Sequence, residues 1–136
     1  MKNRTLDPRD LPPTILLAED EGTVRSFARR VLEGAGFRVL EAPDGVEALR
    51  QFEEHGALID VVLMDVVMPY MGVPELARHL RMRGVNPHAV MMSGHPDDVV
   101  VAALCQDSGT PLIRKPFSPG QLLATVAEVL REELIS

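Results

Sequence analysis

The sequence predicts an α/β domain of three layers, α/β/α, with a five-stranded parallel sheet in the middle. Three observations predict it. Short apolar runs alternate with segments whose apolar residues recur at helical spacing, the pattern of strands joined by helical crossovers. The third run, "DVVLM" (60–64), is apolar on both faces, as a strand covered from both sides must be. The chain has 136 residues, 46% of them hydrophobic, which suits one domain with a substantial core.

The elements follow in order. The first thirteen residues carry three prolines, mixed charge and few apolar side chains, so 1–13 reads as a flexible arm or linker remnant and 14–136 as the domain. "TILLA" (14–18) is the first strand. The helix after it places Val24, Phe27, Ala28, Val31 and Leu32 on one face, with Gly34 or Gly36 as its stop. "FRVLEA" (37–42) is the second strand. "DGVEALRQFEEHG" (44–56) is the second helix, with Val46, Leu49 and Phe52 inward. The third strand leads through a loop to a short helix from about Pro74 to Met82, with proline suited to the first turn. "HAVMMS" (88–93) is the fourth strand, 96–106 the fourth helix and "TPLIR" (110–114) the fifth strand. The fifth helix, 118–134, opens with Ser118 as N-cap and Pro119 behind it.

Composition narrows the function classes. A formal net charge of -6 and a lack of any basic stripe with interleaved aromatics argue against direct nucleic-acid binding. No apolar run reaches the roughly eighteen residues of a membrane span, and the N-terminus lacks a signal-peptide core. The single cysteine, Cys105, excludes an internal disulfide and suits a reducing, cytoplasmic compartment. His55, His79 and His88 have no metal-ligand spacing. Met64, Met68, Met71, Met91 and Met92 read as packing residues.

In open parallel sheets, sites form beyond the carboxyl ends of the strands. Glu19, Asp20 and Glu21 follow strand one, Asp65 follows strand three, Ser93, Gly94 and His95 end strand four, and Lys115 and Pro116 follow strand five. If these strands are neighbours, the acids converge and repel, and a hard divalent cation such as Mg2+, which needs few carboxylates, relieves the repulsion. Lys115 can hold an anionic oxygen and Ser93 can hydrogen-bond one. The set suits phosphoryl transfer, with Asp65 as the nucleophile that forms an acyl phosphate.

"ILLAEDE", "VVLMDVVMP", "VMMSG" and "RKPF", in that order, resemble the receiver domain of bacterial two-component response regulators. The likeness runs from about Thr14 to Leu134, and "DVVMP…PELARHLR…VMMSGHPDD" is most similar to receivers attached to hybrid sensor histidine kinases. It implies a flavodoxin-like fold with strand order 2-1-3-4-5. It implies Asp65 as phosphoacceptor, Glu19, Asp20 and Asp65 with the backbone carbonyl of Val67 around Mg2+, and Ser93 and Lys115 on the phosphoryl group. It also implies a cis bond before Pro116. Val67 and His95 take the positions that modulate hydrolysis. Val67 cannot orient a water, so His95 is expected to set the phosphoryl lifetime.

The donor implied is a phosphohistidine on a histidine kinase or phosphotransfer domain. The switching face implied is helix four, strand five and helix five, which also offers a homodimer contact. Three departures stand out. Leu112 occupies the switch position where the family has an aromatic; Gly72 and Val73 alter the loop before helix three; and Glu19 stands where aspartate is commoner, its longer reach favouring water-mediated metal contact.

Other functions compete. An aspartate-nucleophile phosphatase commonly has a second acid two residues after the nucleophile, where this chain has Val67, and needs a cap for which there is no room. A flavin or nucleotide binder needs a glycine-rich loop where "AEDEGT" places acids. A degenerate receiver serving as a docking or dimerisation scaffold is the remaining alternative, held open by Leu112 and Val73. The leading reading is a phosphoacceptor signalling module and not a turnover enzyme, either free-standing or cut from a hybrid kinase.

Overall fold

The computed structural model describes residues 12–66, 78–79, 82, 88–94 and 110–135. The expected fourth helix and most of the expected third, of which residues 78, 79 and 82 are described and helical, lie outside the described residues, as do Val67, Tyr70, Gly72, Val73, His95 and Cys105 and the arm through residue 11.

Five parallel strands form one sheet: β1 (Thr14–Ala18), β2 (Arg38–Ala42), β3 (Ile59–Asp65), β4 (His88–Ser93) and β5 (Leu112–Arg114), in the order β2-β1-β3-β4-β5. Three helices are described: α1 (Gly22–Gly34), α2 (Gly45–His55) and α3 (Pro119–Ile135), the last being the fifth helix of the sequence reading. This is the expected three-layer α/β/α, flavodoxin-like architecture.

Alternation along the strands sorts the core into two layers. Ile15 and Leu17 of β1 and Val61 and Leu63 of β3 pack with Ala28 and Leu32 of α1 and Leu122, Val126 and Val129 of α3. Leu16 and Ala18, with Val62 and Met64, pack on the other side with Ala48 and Phe52 of α2. All of β1 is buried, as is all of β3 except half-buried Asp60, which is why both strands read as continuous apolar runs.

Local signals terminate the helices. Gly36, at φ 98°, takes the left-handed turn after α1. There the Gly36 N–H donates to the Glu33 carbonyl and the Phe37 N–H to the Leu32 carbonyl, a Schellman ending. The Asp44 side chain caps α2 by accepting from the Glu47 N–H at 2.8 Å. Ser118 and Gln121 cap α3 reciprocally: the Gln121 N–H donates to Ser118 Oγ and the Ser118 N–H to Gln121 Oε1.

Some boundaries differ from the sequence reading. β3 is one residue longer at each end, and Asp65 is its last residue instead of the first residue of a loop. The ladder carries on because Asp65 pairs with Met92 and the Val66 N–H donates to the Met92 carbonyl. β5 is shorter than 110–114, consistent with an edge strand approached through Pro111. In α2 the inward positions are Ala48 and Phe52 with Leu49 beside them, whereas Val46 is exposed. A 3-10 turn, Gly56–Leu58, joins α2 to β3.

Candidate functional site at the carboxyl ends of the strands

Order β2-β1-β3-β4-β5 makes β1 and β3 neighbours and sets β4 and β5 beside β3. The ends of β1, β3, β4 and β5 therefore meet at one edge, and their polar residues with them. Glu19 continues β1, its N–H donating to the Ala42 carbonyl at 3.0 Å. Asp65 ends β3 and Ser93 ends β4. Lys115 follows β5, its N–H donating to the Ser93 carbonyl at 2.8 Å. The expected cis bond is present between Lys115 and Pro116.

One carboxylate oxygen from each of Glu19, Asp20 and Asp65 lies within 4.8 Å of the others. Glu19 is fully buried, Asp65 is buried and Asp20 is exposed, so the cluster has one wet side. Lys115 reaches both buried acids. Its ammonium contacts Asp65 Oδ2 at 2.7 Å and also ion-pairs with Glu19 Oε1. Ser93 is buried at 2% exposure. The edge thus gathers Glu19, Asp20, Asp65, Ser93 and Lys115; Leu112 lies on β5 three residues before the lysine, half-buried and paired in register with Met91.

Burial pushes the Glu19 carboxyl up to about 7, and the Asp65 charge adds to it; the hydrogen bonds from Lys115 and from the Glu21 N–H oppose the rise. Burial also works against the charge on Lys115, but the hydrogen bonds to Asp65 and Glu19 outweigh it and hold the ammonium's pKa above its ordinary value. The two shifts have different causes: burial raises Glu19, whereas the hydrogen bonds to the acids raise Lys115. Two buried acids share a single cation, so the lysine stays charged.

The donor set fits Mg2+. Every group is a hard oxygen, and three carboxylates against one ammonium leave a formal excess of two negative charges, that of one divalent cation. Asp20 opens the cluster toward solvent, where a bound Mg2+ would keep its waters.

The sequence reading did not anticipate the support beneath Glu19. Arg25, on the first turn of α1, donates from Nη1 to the Glu19 carbonyl oxygen at 2.8 Å, and its Nε lies 3.3 Å from Glu41 Oε1 on β2. Arg29, one turn on, faces the other oxygen of Glu41 at 3.6 Å. The signal available was an arginine six residues after Glu19 on a helix leaving the sheet edge, but its partner Glu41 lies sixteen residues further on in another strand.

The chain matches the family model described as response regulator receiver domain over residues 15–127. It is 42% identical over 120 residues to the sensor kinase CckA of Brucella abortus, covering 88% of this chain and 13% of that protein. It is 30% identical over 117 residues to the transcriptional regulatory protein CseB of Streptomyces coelicolor, covering 86% of this chain and 49% of that one. It thus spans about half, or far less, of the length of these relatives. A crystal structure of a response regulator receiver domain protein from Clostridium thermocellum superposes with a TM-score of 0.77 at 28% identity, over 91% of this chain and 99% of that one. Among the described residues no helix is long and apolar enough to cross a membrane. With the sheet order, the acid cluster at its edge and the lysine across it, these similarities establish that the chain belongs to the response regulator receiver domains, the signalling domains of two-component systems.

Proposed function

We propose that this domain accepts a phosphoryl group on Asp65 from a phosphohistidine donor and relays the event through the face built on β5 and α3. The observation that carries the reading is the Lys115 ammonium 2.7 Å from Asp65 Oδ2, within a cluster that also contains Glu19 and Asp20.

The chemistry follows from the residues. An Asp65 carboxylate oxygen attacks the phosphorus of the donor. The new O–P bond forms as the P–N bond breaks, and the imidazole leaves with the bonding electron pair. Glu19, Asp20, Asp65 and the Val67 carbonyl would hold Mg2+, which supplies charge neutralisation for the non-bridging oxygens. Lys115 is already beside Asp65 and needs only to shift its hydrogen bond from carboxylate to phosphoryl oxygen. Ser93, at the end of the neighbouring strand, donates its hydroxyl to the same group. Phosphorylation adds negative charge beside Lys115 and Ser93 and so biases the segment that leads into β5 and α3. Leu112, with no hydroxyl to move, leaves this response to Ser93 and Lys115.

The donor is a histidine kinase or phosphotransfer domain. That relationship is supported by the likeness to the part of a sensor kinase that this chain matches. Return to the ground state is by hydrolysis at Asp65, with His95 and Val67 as flanking positions. A homodimer through β5, α3 and the segment 96–106 is the form of output surface this reading favours, in the cytoplasm and without direct nucleic-acid contact.

Incubation with acetyl phosphate and Mg2+, read by intact mass, tests the assignment, with beryllofluoride binding by NMR as the stable counterpart. Wild type should gain one phosphoryl group only when Mg2+ is present, and Asp65→Asn none. Modification that ignores Mg2+, or that persists in Asp65→Asn, would overturn it and favour a docking scaffold.

A further inference from the structure

The proposed site depends on where Glu19 is held, and all four of its hydrogen-bonding groups are held. Its N–H is fixed to the Ala42 carbonyl. Its Oε1 pairs with Lys115, and its Oε2 accepts from the Glu21 N–H at 3.1 Å. Its carbonyl oxygen accepts from Arg25 Nη1 at 2.8 Å, and Arg25 is in turn steered by Glu41 on the neighbouring strand. We infer that Arg25, aimed by Glu41, is a positioning residue for the acid pair: it fixes the peptide between Glu19 and Asp20 and thereby sets both carboxylates toward the cation they hold.

The geometry separates this role from a charge effect. The Arg25 guanidinium spans two elements, with one nitrogen on the β1 end and another on β2, and its fork allows both contacts at once. If Arg25 mattered only as a nearby positive charge, it would weaken cation binding and its removal would strengthen it. As a brace, its removal does the reverse, because acids free to splay pay the ordering cost when the cation binds. Glu41 discriminates in the same way. Charge alone makes Arg25 and Glu41 act in opposite directions; a brace makes them act together.

The inference rests on the Mg2+ reading of the cluster, so the test has one arm with metal and one without. Mg2+ is titrated calorimetrically into wild type, Arg25→Ala, Glu41→Gln and the double variant. Arg25→Ala should bind about tenfold more weakly, Glu41→Gln should shift the same way, and the double variant should match Arg25→Ala. Tighter binding in Arg25→Ala, unchanged binding, or a double variant restored to wild type would overturn the brace. In the metal-free protein, exchange of the Glu21 amide, which reports the Glu19 side chain, should accelerate in both single variants while the amides of Leu16 and Leu63 keep their protection. Unchanged Glu21 exchange also defeats the inference. Should wild type bind no Mg2+, the metal reading falls and the exchange arm alone decides for or against Arg25. Arg25→Lys guards against a folding failure: it keeps charge and stem but cannot serve both partners, and should move in the same direction as alanine by a smaller factor.

Discussion

Lys115 Nζ lies 2.7 Å from Asp65 Oδ2, joining residues fifty apart in sequence across the ends of β3 and β5. The same ammonium pairs with Glu19, so one cation bridges the two buried acids of the edge. The arrangement ties stability to the proposed function: two buried acids side by side repel each other, and Lys115 relieves part of that repulsion.

Removal of that cation should therefore be costly where the acids are charged. Lys115→Met leaves Glu19 and Asp65 buried with no counter-charge, a class of change that costs about 3 kcal/mol. The loss should be fullest near pH 8 and shrink toward pH 5, as Glu19 takes up a proton. Urea unfolding followed by circular dichroism measures it; the chain has no tryptophan to report by fluorescence. The phosphorylation rate should fall in the same variant even at pH 5 to 6, where the stability loss is smaller. An equal stability loss at both pH values would show that packing of the lysine stem, not its charge, is what matters.

Glu19 gives the metal-free protein a pH dependence of defined sign. Its folded pKa is raised to about 7 from an ordinary 4.5. Between those values the folded state binds more protons than the unfolded chain, so the Glu19 contribution to stability is fully present below about 4.5 and is lost as pH rises through about 7. Glu19→Gln should become progressively more stable than wild type from pH 5 to pH 8 without metal. Adding Mg2+ should stabilise wild type more than the variant, and wild-type Mg2+ affinity should climb through pH 7 as the proton is displaced. Parallel stability profiles for the two proteins would contradict the assignment.

Much of this edge was legible in the sequence, for a physical reason. Acids, a serine and a lysine placed directly after apolar strand runs have little freedom once the strands pair, so Asp65, Ser93 and Lys115 could be located from the runs before them. The direct pairing of Lys115 with Glu19 was less accessible, because it depends on how far a glutamate and a lysine reach across two intervening strands. Arg25 and Glu41 were invisible for the same kind of reason: each looks like a solvated charge on its own element, and only the packing of α1 against β2 joins them. Val46 misled because its helical spacing with Leu49 suits an inward face, yet the small Ala48 is what lets α2 approach the sheet.

Asp60 offers a check on stability that is independent of the site. β1 and β3 shift register between Thr14 and Ile15, since Thr14 pairs with Ile59 and Ile15 with Val61, leaving Asp60 as the extra residue of a bulge. Its Oδ2 accepts from the buried Thr14 N–H at 2.8 Å, in place of a ladder carbonyl. Asp60→Ala strands that amide and should cost about 1–2 kcal/mol, with Mg2+ affinity and phosphorylation unchanged because the bulge lies at the far end of both strands. A matching loss of Mg2+ affinity would mean that β1 shifts as a whole.

Phe117 connects the site to the core. It follows Lys115 and Pro116, is only 9% exposed, and meets Phe27 of α1 with ring centroids 5.9 Å apart in a tilted pair. The capped start of α3 comes next at Ser118, so the lysine is held between β5 on one side and this anchor on the other. Phe117→Leu keeps an apolar side chain but gives up the ring pair, and should lower stability by about 1 kcal/mol. Its effect on chemistry should exceed its effect on folding: with the anchor loosened, Lys115 samples positions away from Asp65, and phosphorylation by acetyl phosphate should slow several-fold in protein that is still fully folded. Phe27→Leu removes the same ring pair from the other side without touching the segment that bears Lys115. It should match the stability loss while leaving the rate near wild type, and equal rates in the two variants would rule out Phe117 as the anchor of the lysine.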